Sequence, residues 1–382
     1  MRIRKLDVAY VEMALEGLFW PTWSPGIGES KVIAVVARVE TEDGIEGWGA
    51  GDCSGPTAAA LIRERCRPLV VGRDLRDIEG LYVELERASH EYRWLWCVEL
   101  ACWDALGIAR DDSVAGLLGT DRRELKAYAS FGERRDAATR KEDVARAMEA
   151  GFTAVKLRFR HDSVKADLEV VEEVRGMFGD SVDLMVDANQ SLVAPGSSKY
   201  QVWDFKTARY VADALAELDV LWLEEPLPED REGDASRLRD LVNIPISGGE
   251  LRTGLREYWD LIAGRHYDIL QPDVTYGGGI SGCRRIAHVA EGAGLAVIPH
   301  CWSNGLGLLA NLHFACSLRS CNYIEVPYDP PVLPLDTFLF PLVEGSLRVD
   351  ADGMVRLPDR PGFGAVLRED VVEQVRASGA SA

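Results

Sequence analysis

The sequence has few of the features that stabilise small secreted proteins or bind polyanions. Its 8 cysteines among 382 residues show no paired metal-finger spacing, which predicts reduced thiols and no disulfide framework. The sequence has only 43 lysines and arginines against 62 aspartates and glutamates, which gives a formal net charge of -19 at pH 7. Nucleic acids and anionic membranes require clustered positive charge, so neither is expected as a partner.

Long hydrophobic runs are also missing. No stretch approaches the ~18 apolar residues of a membrane span, and Asp7, Glu12 and Glu16 interrupt any apolar segment that could act as a signal peptide. We therefore expect a soluble, cytoplasmic protein.

The first part of the chain has the pattern of a small α+β domain. The segments VIAVVARVE and IEGWGA are joined by the turn from Thr41 to Gly44, which predicts a hairpin of the Asp-Gly type. Three stretches with helical spacing follow and end near Gly119. We predict an N-terminal domain over residues 1–124.

From residue 125 the pattern becomes a repeat of short apolar strand, polar residue and amphipathic helix. The repeat length of roughly 23 to 37 residues is that of one strand-helix unit in a parallel β/α barrel, whose active sites lie at the carboxyl ends of the strands. We predict a barrel over residues 125–340 and a C-terminal segment, 341–382, that packs back on the first domain. The polar residues in chain order are Lys156, Asp187, Glu224, Glu250, Asp273, His300 and Glu325.

Three carboxylates end three consecutive strands, namely Asp187, Glu224 and Glu250. An all-oxygen ligand set favours a hard cation, with Mg²⁺ ahead of Mn²⁺ or Ca²⁺. Any one of these acids could instead be a solvated loop residue or a helix cap. The alignment of all three at strand ends favours a metal site.

The ordered motifs VDANQ, WLEEP, GGE, QPD-x-x-x-GGG and PH resemble the mandelate racemase and muconate lactonizing group of the enolase superfamily. The resemblance spans nearly the whole chain. It implies a modified TIM barrel, (β/α)7β, with an N-terminal α+β capping domain. It also implies Mg²⁺ held by Asp187, Glu224 and Glu250, a small-molecule carboxylate substrate, and assembly as a homo-oligomer.

The resemblance also implies catalytic roles. His300 and Asp273 match the dyad in which a carboxylate orients a histidine base. Glu325 matches an acid that hydrogen-bonds the developing enediolate, for which burial would have to raise its pKa. The family's Lys-x-Lys is replaced by Lys156-Leu157-Arg158. Arg158 is a poor base because its pKa exceeds ~12, so it is expected to bind or stabilise a carboxylate, while Lys156 donates a hydrogen bond or shares the acid-base work.

Four further residues are candidates for contact with the substrate. Asn189 lies beside Asp187 in the same motif, Ser130 ends the first barrel strand, and Tyr276 lies in the Asp273 loop. Trp23 belongs to an aromatic segment expected to close over the barrel mouth, where aromatics more often pack as a lid.

One competent base favours dehydration of a sugar acid to a 2-keto-3-deoxy acid. A single histidine can remove the α-proton and then protonate the departing β-hydroxyl. A racemase or epimerase, with Lys156 as second base, and a lactone cycloisomerase are the enzymatic alternatives. A catalytically silent barrel that only binds ligands is the remaining one.

Overall fold

The structure is a computed structural model that describes residues 1–52, 55–91, 93–191, 202–343 and 347–379. Its N-terminal part is an antiparallel sheet in the order β1-β2-β3, covered by helices. The predicted Asp-Gly hairpin joins β2 to β3, and Gly44 has a φ of 80°, which a glycine adopts without strain. The elements are β1 (Ile3–Phe19), β2 (Glu29–Thr41), β3 (Glu46–Gly51), α1 (Pro56–Val70), α2 (Ile78–Ser89), α3 (Cys97–Arg110) and α4 (Val114–Leu117).

Two glycines of β3 allow α3 to lie directly on the sheet. A Cβ at Gly47 would come within 2.3 Å of the Ala101 carbonyl oxygen, and one at Gly49 within 2.2 Å of the Cys97 carbonyl oxygen. Both contacts are with backbone, which cannot move aside as a side chain can. The pattern Gly-Trp-Gly therefore sets the distance between the sheet and α3.

Eight parallel strands form the barrel, in the order β10-β9-β8-β7-β6-β5-β4-β11. Within the described residues, seven helices of the barrel each connect one strand to the next, which is the (β/α)7β arrangement predicted from the motifs. The strands are β4 (Glu124–Ser130), β5 (Ala154–Arg158), β6 (Asp183–Asp187), β7 (Val220–Glu224), β8 (Ile246–Gly248), β9 (Ile269–Leu270), β10 (Ala296–Val297) and β11 (Tyr323–Pro327). The helices are α5 (Ala137–Glu149), α6 (Val164–Phe178), α7 (Phe205–Glu217), α8 (Glu232–Arg239), α9 (Gly254–Ala263), α10 (Gly279–Gly292) and α11 (Gly305–Cys316).

The barrel strands are apolar because both of their faces are covered. All five residues of β5 are buried, although two of them, Lys156 and Arg158, are cationic. Parallel strands inside a ring of helices normally read as continuous hydrophobic runs. The charged residues at the carboxyl ends of β5, β6 and β7 therefore break the pattern for a reason other than packing.

The C-terminal segment contacts both parts of the molecule. Its elements are α12 (Leu335–Phe338), β12 (Met354–Arg356) and α13 (Glu369–Ser378). Strand β12 pairs antiparallel with β4, and α13 packs on β1, where Gln374 Nε2 donates to the Tyr10 carbonyl at 2.9 Å. The segment thus bridges the barrel and the N-terminal sheet.

A buried histidine connects three regions. His313 on α11 accepts from the Ala115 backbone N–H at 3.1 Å through Nδ1, and its Nε2 lies 3.1 Å from the Phe363 carbonyl oxygen. These partners require the neutral ring with its proton on Nε2, because Nδ1 already accepts. Burial lowers the pKa of His313 to about 3, in agreement with that requirement.

Across the described ranges, no helix is both long and apolar enough to cross a membrane. Seven of the eight cysteines fall within these ranges, and all seven are buried. Cys53 lies outside them.

Candidate active site

Five of the seven polar residues predicted to share one rim lie at or just beyond the carboxyl ends of their strands, whereas Lys156 and Glu325 lie two residues before the ends of β5 and β11. Asp187 and Glu224 are the last residues of β6 and β7, and the register pairs them directly. Glu250, Asp273 and His300 follow the ends of β8, β9 and β10 by two or three residues. All are buried or nearly so. The arrangement agrees with the rule that barrel enzymes build their sites on this face.

The three predicted metal ligands form a compact acidic cluster. Asp187, Glu224 and Glu250 each offer a carboxylate oxygen, and these oxygens lie within 4.8 Å of one another. Burial raises the pKa of Glu224 and of Glu250, although Lys156 faces the first and His300 the second. Buried carboxylates that repel one another are stabilised in their ionised form by a cation.

One oxygen of this cluster gives an independent test of the fit. Glu250 Oε2 is buried and accepts no hydrogen bond from the described residues, while His300 Nε2 lies 3.6 Å away. A buried carboxylate oxygen without a partner is costly. A hard divalent cation such as Mg²⁺ would supply the missing partner, so the residues fit the ion.

Lys156 is held among acids. Its Nζ lies 2.9 Å from Glu224 Oε2, 2.7 Å from Glu325 Oε1 and 3.9 Å from Asp187 Oδ2. Burial alone would lower the pKa of Lys156, but the carboxylates of Glu224 and Glu325 outweigh burial and raise it. The side chain is therefore an ammonium that balances the charge of its neighbours.

The expected rise in the pKa of Glu325 is wrong for this structure. Burial acts in that direction, but Lys156, His300 and Arg158 together hold the pKa of Glu325 below its usual value. The ionised carboxylate accepts from Ser130 Oγ at 2.7 Å and from the Cys301 backbone N–H at 2.8 Å. The prediction failed because the sequence does not show that three cationic groups surround this acid.

Arg158 contacts the protein's own carboxylate. Its guanidinium binds Asp187 through Nη1 and donates to the Phe131 carbonyl at 2.8 Å through Nε. Nη1 also lies 3.3 Å from Asn189 Oδ1. Burial alone would lower the pKa of Arg158, but Asp187 and the other acids raise it, so the group is a permanent cation.

Two residues predicted to touch the substrate have partners within the protein. Asn189 donates to Asp187 from its backbone N–H at 2.7 Å and from Nδ2 at 3.0 Å, with a φ of 45°. Asparagine tolerates this left-handed conformation better than most residues. Ser130 is completely buried between Glu325 and Arg158. Both residues orient charged side chains around the metal cluster.

His300 and Asp273 form the predicted pair. His300 Nδ1 lies 3.0 Å from Asp273 Oδ2, while Asp273 Oδ1 accepts from Thr275 N–H at 2.8 Å and from Asn311 Nδ2 at 2.9 Å. Burial would lower the pKa of His300, but Glu250, Glu325 and Asp273 raise it to about 10. A cation bound at Glu250 would offset the largest of these contributions.

Tyr276 contacts the imidazole ring of His300 through its hydroxyl. Its hydroxyl is 2.8 Å from the same Nδ1 that faces Asp273. A nitrogen that donates its proton to Asp273 cannot accept from the phenol, so the Tyr276 hydroxyl accepts there and its own proton points elsewhere. If Tyr276 contacts the substrate as predicted, the same hydroxyl contacts both the substrate and His300.

An aromatic cluster covers the guanidinium. Trp23, from the connection between β1 and β2, packs edge-on against Trp302 with ring centroids 4.7 Å apart, and Phe19 stacks on Trp302. Arg158 lies beneath both indoles, 5.2 and 5.3 Å from the ring centroids. The predicted lid residue Trp23 is thus in contact with a charged group of the rim.

Residues that the sequence did not single out complete the site. Trp302 follows the Pro-His motif by two positions, so its place in the His300 loop was a usable signal. Asn311 lies within α11, and its bond to Asp273 joins segments that are 38 residues apart. Asp52 directly follows β3, the last strand of the capping sheet, and Ser303 Oγ lies 3.4 Å from its Oδ1. No local pattern marks these last two contacts.

Comparison with known proteins agrees with this geometry. Residues 27–119 match the mandelate racemase / muconate lactonizing enzyme N-terminal domain, and residues 139–371 match the enolase C-terminal domain-like family. The chain therefore belongs to the mandelate racemase and muconate lactonizing enzyme family of the enolase superfamily.

Its relatives include both dehydratases and cycloisomerases. The chain is 28% identical to arabinonate dehydratase of Saccharolobus solfataricus, with 92% of each chain covered. It is 30% identical to D-galactarolactone cycloisomerase of Agrobacterium fabrum, covering 90% of this chain and 91% of that protein. A crystal structure of L-talarate dehydratase from Polaromonas sp., complexed with Mg and L-glucarate, has a TM-score of 0.82 at 26% identity and covers 98% of this chain and 96% of that one.

Proposed function

We propose that the chain catalyses the Mg²⁺-dependent dehydration of a sugar acid to a 2-keto-3-deoxy acid. The observation that carries the proposal is that His300 Nε2, unlike the Lys156 ammonium, makes no hydrogen bond with the described residues of the site. His300 Nδ1 is engaged by Asp273 at 3.0 Å, which leaves Nε2 on the side of the carboxylate cluster. The arabinonate dehydratase among the relatives, and the L-talarate dehydratase structure complexed with Mg and L-glucarate, support the same function.

Asp187, Glu224 and Glu250 are the residues that would hold the ion. When bound, Mg²⁺ acts as a Lewis acid that stabilises negative charge developing on the substrate carboxylate. The neighbouring Asn189 keeps Asp187 in place through two hydrogen bonds. Residues of this kind commonly tune ligand orientation and affinity.

His300 performs both proton transfers in the proposed reaction. Nε2 takes the proton from the α-carbon, and the electrons of that C–H bond form the enediolate of the substrate carboxylate. The resulting imidazolium gives its proton to the β-hydroxyl as the β C–O bond breaks and water leaves. The enol product then tautomerises to the 2-keto acid. Asp273 keeps Nδ1 protonated throughout and stabilises the imidazolium.

Lys156 and Arg158 contribute to the proposed reaction through their positive charge and not as bases. Lys156 and Arg158 remain positive because each is surrounded by carboxylates, and they favour charge development next to the cluster. Glu325 is ionised and accepts hydrogen bonds from Ser130 and Cys301, so its role is to hold Lys156 and the His300 loop.

Racemisation has less support because it needs a competent base on each face. Lys156 is the only other candidate that the sequence offered, and its ammonium is held between Glu224 and Glu325. A lactone cycloisomerase is the second candidate, favoured by the 30% identical D-galactarolactone cycloisomerase. A silent binding barrel is disfavoured because a buried set of three acids, two cations and a histidine is costly unless it has a use.

The proposed function is tested by proton exchange and product analysis. Purified protein with Mg²⁺ in deuterium oxide is offered a panel of aldonic acids, aldaric acids and their lactones. Loss of the α-proton together with a 2-keto-3-deoxy product supports dehydration. Inversion at the α-carbon without loss of water, or opening of lactones alone, would contradict it.

We further propose that the enzyme works in the cytoplasm as a homo-oligomer. The scattered spacing of the 8 cysteines, which lacks the pattern of a disulfide framework, supports a reducing compartment, and family resemblance supports oligomerisation. Cell fractionation and light scattering test the two statements.

A further inference from the structure

The carboxylate that orients His300 is held on both of its oxygens. Asp273 Oδ2 lies 3.0 Å from His300 Nδ1. Asp273 Oδ1 accepts from the Thr275 backbone N–H at 2.8 Å, from Thr275 Oγ1 at 2.7 Å and from Asn311 Nδ2 at 2.9 Å. Thr275 belongs to the same loop as Asp273, so among the described residues Asn311 is the only donor to Oδ1 from another element. Asn311 therefore fixes the carboxylate relative to the rest of the barrel.

The side-chain amide of Asn311 contacts the Asp273 loop through both of its polar groups. Its Oδ1 accepts from the Val274 backbone N–H at 3.1 Å, while its Nδ2 donates to Asp273. Because a backbone N–H can only donate, Oδ1 has to face Val274 and Nδ2 has to face the carboxylate. The side chain is completely buried. A buried amide is costly unless its hydrogen bonds are made, and the two contacts with this loop make them.

Helix α11 connects the base to the carboxylate that orients it. The helix begins directly after the loop that carries His300, and Asn311 lies in its interior, ~9 Å further along the axis. A Cβ at Gly307 would come within 2.9 Å of Thr275 Cγ2, so the Asp273 loop packs closely on the same helix. One rigid element therefore sets the distance between the two members of the pair.

Tyr276 offers His300 a second partner at the same nitrogen. The Tyr276 hydroxyl lies 2.8 Å from His300 Nδ1, against 3.0 Å for Asp273 Oδ2. When the ionised carboxylate is the partner, it can only accept, so the neutral ring carries its proton on Nδ1 and Nε2 can take the α-proton. When the phenol donates instead, the ring proton lies on Nε2, which then cannot act as the base. The two partners select opposite tautomers of His300.

We propose that Asn311 is the positioning residue that sets the tautomer of His300, because it holds Asp273 at Nδ1 against competition from Tyr276. The inference rests on the proposed function, in which His300 Nε2 is the base, and adds to it the residue that keeps this nitrogen without a proton in the neutral ring. Asn311 acts through Asp273, so its effect reaches the reaction by way of the imidazole. Groups that orient a functional histidine commonly affect activity by about 10- to 100-fold.

The position of the ring proton tests the inference directly. Protein with isotopically labelled histidines is loaded with Mg²⁺ and studied by nitrogen NMR at a pH where the His300 ring is neutral, with His300→Asn to assign the signals. We expect the proton on Nδ1 in the wild type and on Nε2 in Asn311→Leu, which has a side chain of similar size but no amide. Tyr276→Phe removes the competing donor, so combining it with Asn311→Leu should return the proton to Nδ1.

Kinetics of α-proton exchange give an independent measure. The substrate is the acid of the aldonic and aldaric panel that the wild-type protein exchanges fastest. Asn311→Leu should lower kcat about tenfold or more and leave KM within about twofold, because the substitution acts on the base and not on substrate binding. In the Tyr276→Phe background the same substitution should cost less than about threefold, since residues that act through one another are not additive.

Two further variants control for packing. Asn311→Ala removes the same amide without the bulk of leucine and should give the same tautomer, so the test does not depend on the folding of Asn311→Leu. His313→Gln alters another buried side chain of α11, whose partners are Ala115 and Phe363. It should lower stability while kcat and the tautomer of His300 stay unchanged.

The outcomes separate the inference from the function on which it rests. A wild-type ring that carries its proton on Nε2, or a ring that keeps it on Nδ1 in both Asn311 variants, overturns the inference. A loss of exchange that is as large in the Tyr276→Phe background as in the wild type also overturns it, because a packing defect does not depend on the phenol. Absence of exchange with every acid of the panel contradicts the proposed function, while the spectra still decide the role of Asn311.

Discussion

The ammonium of Lys156 lies 2.7 Å from Oε1 of Glu325, and both side chains are completely buried. This contact joins β5, the second barrel strand, to β11, the last one, past β4, which lies between them in the sheet. A buried ion pair loses much of its stability when one partner is removed, because the other charge stays buried without compensation. The choice between dehydration, with His300 as the one base, and racemisation, with Lys156 as a second base, therefore depends on whether Lys156 leaves this position.

The first prediction concerns Arg158, which stands where the family has the second lysine of its Lys-x-Lys motif. Arg158→Lys replaces a fork that contacts Phe131, Asp187 and Asn189 with a single ammonium. We expect the rate of dehydration to fall at least about tenfold, because an ammonium cannot replace the bidentate guanidinium. We expect no gain of inversion, because the new ammonium would form an ion pair with Asp187 and would not act as a base. The measurement is the ratio of inverted to dehydrated product in deuterium oxide. An increase of that ratio would favour the racemase alternative.

The second prediction concerns the metal. Mg²⁺ should raise the Tm of the wild-type protein, because an ion that binds only the folded state stabilises it. Glu250→Gln should fold and lose most of this shift together with α-proton exchange. Glu12→Gln, a change of an exposed acid in an ion pair with Lys31, is the control and should keep the full shift. Full activity after exhaustive chelation would contradict the metal site.

The third prediction separates the base from the residue that orients it. His300→Asn should abolish α-proton exchange and product formation together. Asp273→Asn should retain binding and lower kcat by about a hundredfold or more, because an amide in that position no longer favours the protonated Nδ1. Single-turnover exchange measures both. Appreciable exchange in His300→Asn would mean that Lys156 acts as a base in its own right.

The fourth prediction is a pH dependence of stability from His313. Its pKa in the folded protein is lowered to about 3, below the ~6.5 of an exposed histidine, so protonation favours the unfolded chain. The stabilisation is complete above about pH 6.5 and is lost as the pH falls toward 3. This group alone should cost roughly 2 kcal/mol of unfolding free energy at about pH 5.

Urea unfolding of wild type and His313→Gln across this range measures the effect. The variant should be less stable near neutral pH and should lose less stability on acidification. Parallel curves for the two proteins would show that His313 is not responsible.

The fifth prediction concerns the lid. Trp23→Ala removes one of the two indoles over Arg158, at the connection between β1 and β2. We expect the preference among sugar acids to change more than the rate of α-proton exchange on the best one. Trp259→Ala, at an exposed position on α9, is the control. An equal loss of exchange on every substrate would assign Trp23 to the chemistry.

Much of the architecture could be read from the sequence because it depends on local order. The repeat of apolar strand, polar residue and helix predicts a parallel barrel, and parallel strands necessarily present their carboxyl ends on one side. Asp187, Glu224 and Glu250 therefore had to meet at that rim. The Asp-Gly turn between β2 and β3 was equally local, because its geometry depends on four consecutive residues.

Contacts between distant segments were decided only by the tertiary structure. The sequence contains Glu325, but not the cations that surround it and keep its pKa low. It contains Ser130 and Asn189, but not their hydrogen bonds to Arg158, which lies on another strand, nor that of Ser130 to Glu325. Their predicted contact with the substrate stays a prediction. Electrostatic energies depend on distance through space and on burial, and neither quantity follows from the separation of residues along the chain.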